Sequence, residues 1–252
     1  MGENFTQLIY TNRGKVVEIT LNRPDVLNAL SIELYSELGD ALIKATNEVG
    51  VQVIVITGAG RAFSTGGDLK QGDSVNRDDP QRFAEASERM LKQILNSDRT
   101  VVARVNGITQ AGGVLIVAAC DLAIASDQAT FRCPEALVGI WEPYSPELLT
   151  HQIGIKRAKH MLLASETIDA PEAERIGLIN RAVPLLELES ATERLIEGIL
   201  AGGPTARTMF KRMINEHIRG FDTGVVLQAL SSEEAREGMA AFTEKRIPQW
   251  RE

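Results

Sequence analysis

Two short glycine-bearing turns and one glutamate have the makings of a reactive site. The segment 111–120, which opens with Ala111-Gly112-Gly113, carries no charged residue, and a helix apolar on every side belongs in an interior. The first N–H groups of such a helix lack intrahelical partners, and leaving them dry costs roughly 1–3 kcal/mol each until an acceptor arrives. Glycines at that start let an acceptor approach without a Cβ in the way, while the helix dipole favours negative charge developing there. Standing alone, Gly112-Gly113 reads equally well as close packing of a helix on a strand. The second turn, Ala62-Phe63-Ser64-Thr65-Gly66-Gly67-Asp68-Leu69, follows a β-branched run and precedes a polar loop, so both turns can face one cleft. Glu135, next to Pro134, is a carboxyl that can hold or move a proton; by residue type alone it reads as a solvated or helix-starting glutamate.

These residues need a scaffold. Val16–Leu21 reads as a strand stopped by Asn22-Arg23-Pro24-Asp25, because proline fixes φ and disfavours helix before it. Ser31 is the expected N-cap of a helix whose apolar residues Leu34, Leu38, Leu42 and Ala45 recur at helical spacing. Val51–Thr57 reads as a buried parallel strand ended by Gly58-Ala59-Gly60. The stretch 71–80 has loop composition, 81–96 looks helical, and 101–105 and 121–125 are further strands. Beyond Glu147 the pattern is mostly helical, with segments expected at 147–153, 156–164, 171–176, 185–201, 204–219, 222–236 and 237–246. Alternation of strands and helices points to an α/β core under a helical layer.

Composition bounds the chemistry. With 252 residues, 44% of them hydrophobic, the chain can bury a large core. Lys+Arg 27 against Asp+Glu 34 gives a net charge of -7, which implies no basic surface for nucleic acid. No stretch reaches the ~18 apolar residues of a membrane span. Cys120 and Cys133 are too few for a disulfide framework, so a reducing cytoplasm is the expected compartment. His151, His160 and His217 have no metal-ligand spacing, and no metal is expected.

Asn22-Arg23-Pro24 with Asn28-Ala29-Leu30, Ala62 through Leu69, Asn106-Gly107, Ala111-Gly112-Gly113, Cys120-Asp121, Phe131 with Pro134-Glu135, Gly139 and Gly177-Leu178-Ile179 follow one another along nearly the whole chain. In that order and spacing they resemble the crotonase (enoyl-CoA hydratase/isomerase) superfamily. The resemblance implies an α/β fold, a crotonase-like spiral of ββα units over residues 1–195 holding the acyl-CoA site, with a C-terminal helical trimerisation region over 196–252. It implies an acyl-CoA thioester as substrate, no separate cofactor, and a homotrimer or hexamer. Gly67 and Gly112 match the residues whose backbone N–H groups form the family's oxyanion hole. These donors hold the thioester oxygen as it becomes an enolate, and losing one costs ~2.7–4 kcal/mol in the transition state. Ala62, Phe63 and Ser64 match the adenine-binding turn, and Arg23 is a phosphate contact by position. Phe242 and Lys245 resemble the terminal segment that approaches CoA, in some members from a neighbouring subunit; an amphipathic helix with a solvated face explains them equally.

Hydratases of this family resemble one another in holding water with two glutamates. Here Leu115 stands at the first position, and Glu135 matches the second. Pro143, within Gly139-Ile140-Trp141-Glu142-Pro143-Tyr144, falls where a glycine N–H also helps, and proline has none. A held water needs two to four polar partners, so the pattern is closest to Δ3,Δ2-enoyl-CoA isomerases. In that reading Glu135 takes a proton from C2 of a 3-enoyl-CoA and returns it at C4, and burial beside Leu115 raises its pKa. The rivals are a hydratase using Glu142 and a non-catalytic acyl-CoA-binding protein. Glu142 reads as a rim residue, Trp141 and Tyr144 as an acyl-pocket wall or as core, and Asp68 and Asp121 as turn and strand-end caps.

Overall fold

The computed structural model describes residues 5–68, 79–218 and 223–251. Leu69, the 71–80 loop up to residue 78, and residues 219–222 at the expected helix junction lie outside them. Strand β1 (Leu8–Asn12) turns at Gly14 into β2 (Val16–Leu21), and α1 (Ile32–Asn47) follows, capped as expected by Ser31, whose Oγ accepts the Leu34 N–H at 3.1 Å. One move then repeats three times, placing a strand in a large sheet, a short strand in a small sheet, and a helix back across them. The first repeat is β3 (Val53–Gly58), β4 (Ala62–Ser64) and α2 (Pro80–Asn96). The second is β5 (Thr100–Val105), β6 (Ile108–Gln110) and α3 (Gly112–Ala119). In the third, β7 (Leu122–Ser126) and β8 (Thr130–Arg132) lead through a 3-10 turn (Glu135–Val138) to α4 (Tyr144–Ile153).

The large sheet runs β1-β2-β3-β5-β7-β10, parallel except for β1, and the small one β4-β6-β8-β9. This is the ββα spiral, and it carries both glycine turns at the ends of strands of the small sheet. The chain continues through α5 (Ile155–Lys159), β9 (Ile168–Asp169), α6 (Ala170–Ile176), β10 (Arg181–Val183), α7 (Leu188–Ala201), α8 (Pro204–Asn215), α9 (Thr223–Ser231) and α10 (Glu233–Glu244). Strand β3 is buried from Val53 to Thr57, because α1 covers one side of the sheet while Ile196 and Ile199 of α7 pack with Val53, Val55 and Val102 on the other. The boundary expected between 195 and 196 therefore falls inside α7.

Helix α8 is built inside out. Its core side is polar: Arg207 bonds Gln52 Oε1 at 2.7 Å, Asn215 bonds the Leu95 carbonyl at 2.9 Å, and Lys211 reaches the Ile94 and Arg99 carbonyls and Asp121 Oδ2. Its outer side exposes Met209, Phe210, Met213 and Ile214, the last by 73%. Asp121 does cap a strand end, accepting the Val101 N–H at 2.7 Å, and it also anchors this helix through Lys211. Among the described residues no helix is long and apolar enough to cross a membrane.

The segment between β2 and α1 is pinned by Asn28, which is fully buried with φ 54°. Its Oδ1 accepts the Arg23 N–H at 2.9 Å, and its Nδ2 donates to the carbonyls of Ala59 at 2.9 Å and Ala62 at 2.8 Å. Asn28→Ala would orphan the Arg23 N–H and the Ala59 carbonyl, leave the Ala62 carbonyl to Asn106 alone, and place a Cβ-only residue in a left-handed conformation. We expect a loss of ~3 kcal/mol or more, seen as a fall of roughly 6–12 °C in the melting temperature; a fall of a degree or less would contradict this anchoring.

Candidate active site

The two glycine turns meet backbone to backbone. Gly66 has φ +80°, and a Cβ built on it would lie 2.5 Å from Ala111 Cβ and 2.8 Å from the Gly112 nitrogen. Ala111 itself adopts φ 48°, ψ -123°, a region costing about 1–3 kcal/mol for a residue with a Cβ. Ser64 fixes the first turn by donating to the Asn28 carbonyl at 2.8 Å while accepting the Gly66 N–H at 3.2 Å. Leu30 pairs with Gly67 as an isolated parallel bridge, its N–H bonding the Gly66 carbonyl and its carbonyl accepting the Asp68 N–H. Successive peptides of extended chain face opposite ways, so the Gly67 N–H turns away from Leu30. Neither that N–H nor the Gly112 N–H, the first of α3, has an acceptor among the described residues.

Leu115 lies one turn beyond Gly112 on the same helix face and is 7% exposed. The spot is apolar. Glu135 opens the 3-10 turn; its Oε2 is sealed from solvent and has no hydrogen-bond partner among the described residues. Burial pushes its pKa up to about 7, its own backbone N–H opposes the shift, and the charge of Glu142 adds to it.

Glu142 differs from the expected rim residue. It is half-buried, and its carboxylate accepts the N–H groups of Tyr144 at 2.9 Å and Ser145 at 2.6 Å. Pro143 starts α4 without a donor of its own, so this carboxylate satisfies the next two amides and sits at the positive end of the helix. Burial raises the Glu142 pKa while those bonds hold it down. Two carboxylates thus lie within electrostatic reach of each other.

The other expected residues divide. Tyr144 is buried, its phenol pushed up by burial and by the charges of Glu88 and Glu142, whereas Trp141 is 41% exposed. Ala62, Phe63 and Ser64 are buried in β4, and the Ala62 carbonyl is taken by the side chains of Asn28 and Asn106. Arg23, expected as a phosphate contact, turns its Nη1 inward to the Ala29 carbonyl and to Asp68 Oδ2 at 2.9 Å, with only 11% of its side chain exposed. Asp68, expected as a turn cap, is therefore one arm of a buried ion pair that ties the Asn22–Leu30 segment to the first glycine turn. Phe242 and Lys245 are exposed at the end of α10.

Two aromatic residues were not singled out from sequence. Tyr35 of α1 is 4% exposed, with its Oη 2.6 Å from the place of a Cβ on Gly112. Phe83 of α2 stacks edge-on against it at 5.4 Å and lies 3.6 Å from the place of a Cβ on Gly67. A tyrosine beside Leu34 on an apolar helix face was the available signal.

Free amides from two turns and an apolar wall meet at one backbone junction, and a carboxyl with raised proton affinity stands in the 3-10 turn at Glu135–Val138. A family model described as enoyl-CoA hydratase/isomerase matches residues 11–252. The chain belongs to that family. It is 30% identical over 248 residues to the short-chain-enoyl-CoA hydratase of Clostridium acetobutylicum, covering 95% of each chain. It is 32% identical to the carnitinyl-CoA dehydratase of Proteus mirabilis, over 96% of this chain and 97% of that one. An enoyl-CoA hydratase structure from Mycobacterium avium subsp. paratuberculosis superposes with a TM-score of 0.85 at 30% identity, covering 98% and 99% of the two chains. The crotonase resemblance thus stands, and the similar proteins carry hydratase or dehydratase names.

The two glycines of the first turn respond differently to a methyl group. Gly66→Ala would drive a Cβ into Ala111 and Gly112 at positive φ, whereas Gly67→Ala meets only Phe83 at ordinary contact distance and keeps its N–H. Turnover on an enoyl-CoA should fall by at least ~10²-fold in Gly66→Ala, the scale of one lost oxyanion donor, and stay within a few-fold in Gly67→Ala. The reverse order would contradict the geometry.

Proposed function

We propose that this chain moves a proton at C2 of an enoyl-CoA thioester, adding water across a 2-enoyl group or removing it from a 3-hydroxyacyl group. The observation that carries this reading is the second carboxylate, Glu142, pinned by two amides and electrostatically coupled to Glu135. The hydratase and dehydratase names of the relatives support it. In the hydration direction the thioester oxygen accepts the free N–H groups of Gly67 and Gly112. Water oxygen bonds to C3, its proton passes to ionised Glu142, the electron pair of the double bond moves onto the thioester oxygen, and protonated Glu135 delivers hydrogen to C2 as that pair returns. The raised proton affinity of Glu135 suits a donor near neutral pH.

A second reading, isomerisation of a 3-enoyl to a 2-enoyl thioester, is favoured by Leu115 and by Pro143. There Glu135 starts ionised, takes the C2 proton and returns it at C4, while an apolar wall keeps water from the product. The two readings have opposite pH limbs. With a Glu135 pKa of about 7, kcat/KM for hydration, which needs the carboxylic acid, falls as pH rises through about 7. That for isomerisation, which needs the carboxylate, rises through the same range. Loss of conjugated enoyl absorbance from crotonyl-CoA, against its gain from a 3-enoyl-CoA, measured across this range decides between them. Glu135→Gln should lower whichever rate is present by ~10²–10⁴-fold; turnover equal to wild type would defeat both readings and leave an acyl-CoA-binding protein or another base.

The outward face of α8 supports the trimer or hexamer that the resemblance implies. A helix docked by its polar side, with Met209, Phe210, Met213 and Ile214 in the open, presents apolar area that soluble chains cover by association. Phe210→Glu with Ile214→Glu leaves Lys211 and Arg207 in place, and light scattering should report a smaller species than wild type. An unchanged mass would remove α8 from the interface.

A further inference from the structure

The geometry points to Tyr35 as a third hydrogen-bond donor to the thioester oxygen, a side-chain hydroxyl working beside the Gly112 amide. This rests on the oxyanion role proposed for Gly67 and Gly112. The ring is fixed, since Tyr35 is 4% exposed and meets Phe83 edge-on at 5.4 Å with an interplanar angle of 89°. Its Oη lies 2.6 Å from where a Cβ on Gly112 would be. Nitrogen and Cβ of one residue are about 2.5 Å apart, so Oη is within about 5 Å of the Gly112 nitrogen. One oxygen accepting from both at about 2.9 Å fits that gap.

The hydroxyl is also spare. Tyr35 Oη makes no hydrogen bond to any described residue and is not among the polar atoms sealed from solvent, so it can donate to a group entering beside Gly112. Burial first, then the charges of Glu142 and Glu135, push its pKa up, so it remains a donor throughout the working range. The groups facing it are Glu142 and Glu135 from the 135–144 segment, Tyr144 at the start of α4, and Phe83 from α2. A phenol held beside two carboxylates is a poor place for an anion unless something donates to it. The glycine at position 112 is what opens the space for this hydroxyl, because a Cβ there would collide with it.

Tyr35→Phe removes the oxygen and keeps the ring. The probe is acetoacetyl-CoA, which loses its C2 proton to solvent or to Glu135 and, as an enolate with its electron pair on oxygen, gains near-ultraviolet absorbance. Bound to wild type, its enolate should form at lower pH than in free solution. In Tyr35→Phe that apparent pKa should rise by about one unit, a tenfold loss of enolate stabilisation, with kcat for crotonyl-CoA or a 3-enoyl-CoA reduced at least about tenfold. The melting temperature should hold, since no intramolecular bond is lost. A lowered melting temperature with an unmoved enolate pKa means a structural hydroxyl and overturns the proposal. So does a shifted pH profile with an unmoved enolate pKa, which would assign the hydroxyl to Glu135 or Glu142. If wild type fails to promote the enolate at all while still binding acetoacetyl-CoA, the oxyanion role itself fails, and this proposal with it.

Discussion

The structure depends on bringing two stretches of backbone closer than side chains allow. The turn at Ser64–Gly67 lies directly on the start of α3, where Cβ atoms at Gly66 or Gly113 would enter the opposing main chain. Ala111 sits in an unfavourable conformation to make this junction, and such strain persists only where surroundings over-determine it. The surroundings do so. The Ala111 N–H is held by the Arg132 carbonyl at 2.9 Å, Ser64 bridges Asn28 and Gly66, and Arg23 clamps Asp68 in a pair nearly removed from solvent. Removing one partner of a buried pair costs about 3–5 kcal/mol, because the other charge is left behind. Such a pair braces the turn without taking the Gly67 or Gly112 amide.

How much of this was legible in the sequence follows the range of the interactions. Ser31 announces its cap, the β-branched run announces β3, and the uncharged stretch after Gly112 announces a buried helix, because each signal is local. The glycine junction was partly legible, since glycines in two turns and an apolar helix start say that backbone will be approached closely. What approaches it is a tertiary fact. Arg23 carries a phosphate expectation from its place in the family pattern, and nothing local says that Asp68, 45 residues away, pairs with it. Tyr35 was hidden among apolar helix positions, because nothing local distinguishes a buried ring that packs from one whose hydroxyl reaches another element.

Glu142 shows the same limit more sharply. A glutamate before a proline in a departing loop reads as solvated, and missing the Pro143 amide made the site look poorer in polar groups. In the fold the helix that follows Pro143 still has its first N–H groups to satisfy, and the Glu142 carboxylate accepts two of them. An acid so fixed beside Glu135 works against ionisation of its neighbour, and Glu135 keeps its proton to higher pH than an isolated glutamate would.

That proton affinity does not belong to the spiral alone. The turn carrying Glu135 is closed by its own carbonyl, which accepts the Ile140 N–H at 3.0 Å, and it lies backbone to backbone against α10: Gly139 adopts φ +63° under the Glu234 carbonyl, and Gly238 leaves room for Val138. Helix α9 packs on α2, which brings Phe83 to the first glycine turn. Residues more than ninety positions downstream thus back the element on which the acid sits and the wall opposite it. Desolvation is the largest cause of the raised Glu135 pKa, and desolvation is a property of whatever excludes water from all sides. The motifs of the ordered set that carries the family resemblance end at Ile179, yet the C-terminal helices back the turn that bears Glu135 and so take part in excluding the water whose loss raises its pKa.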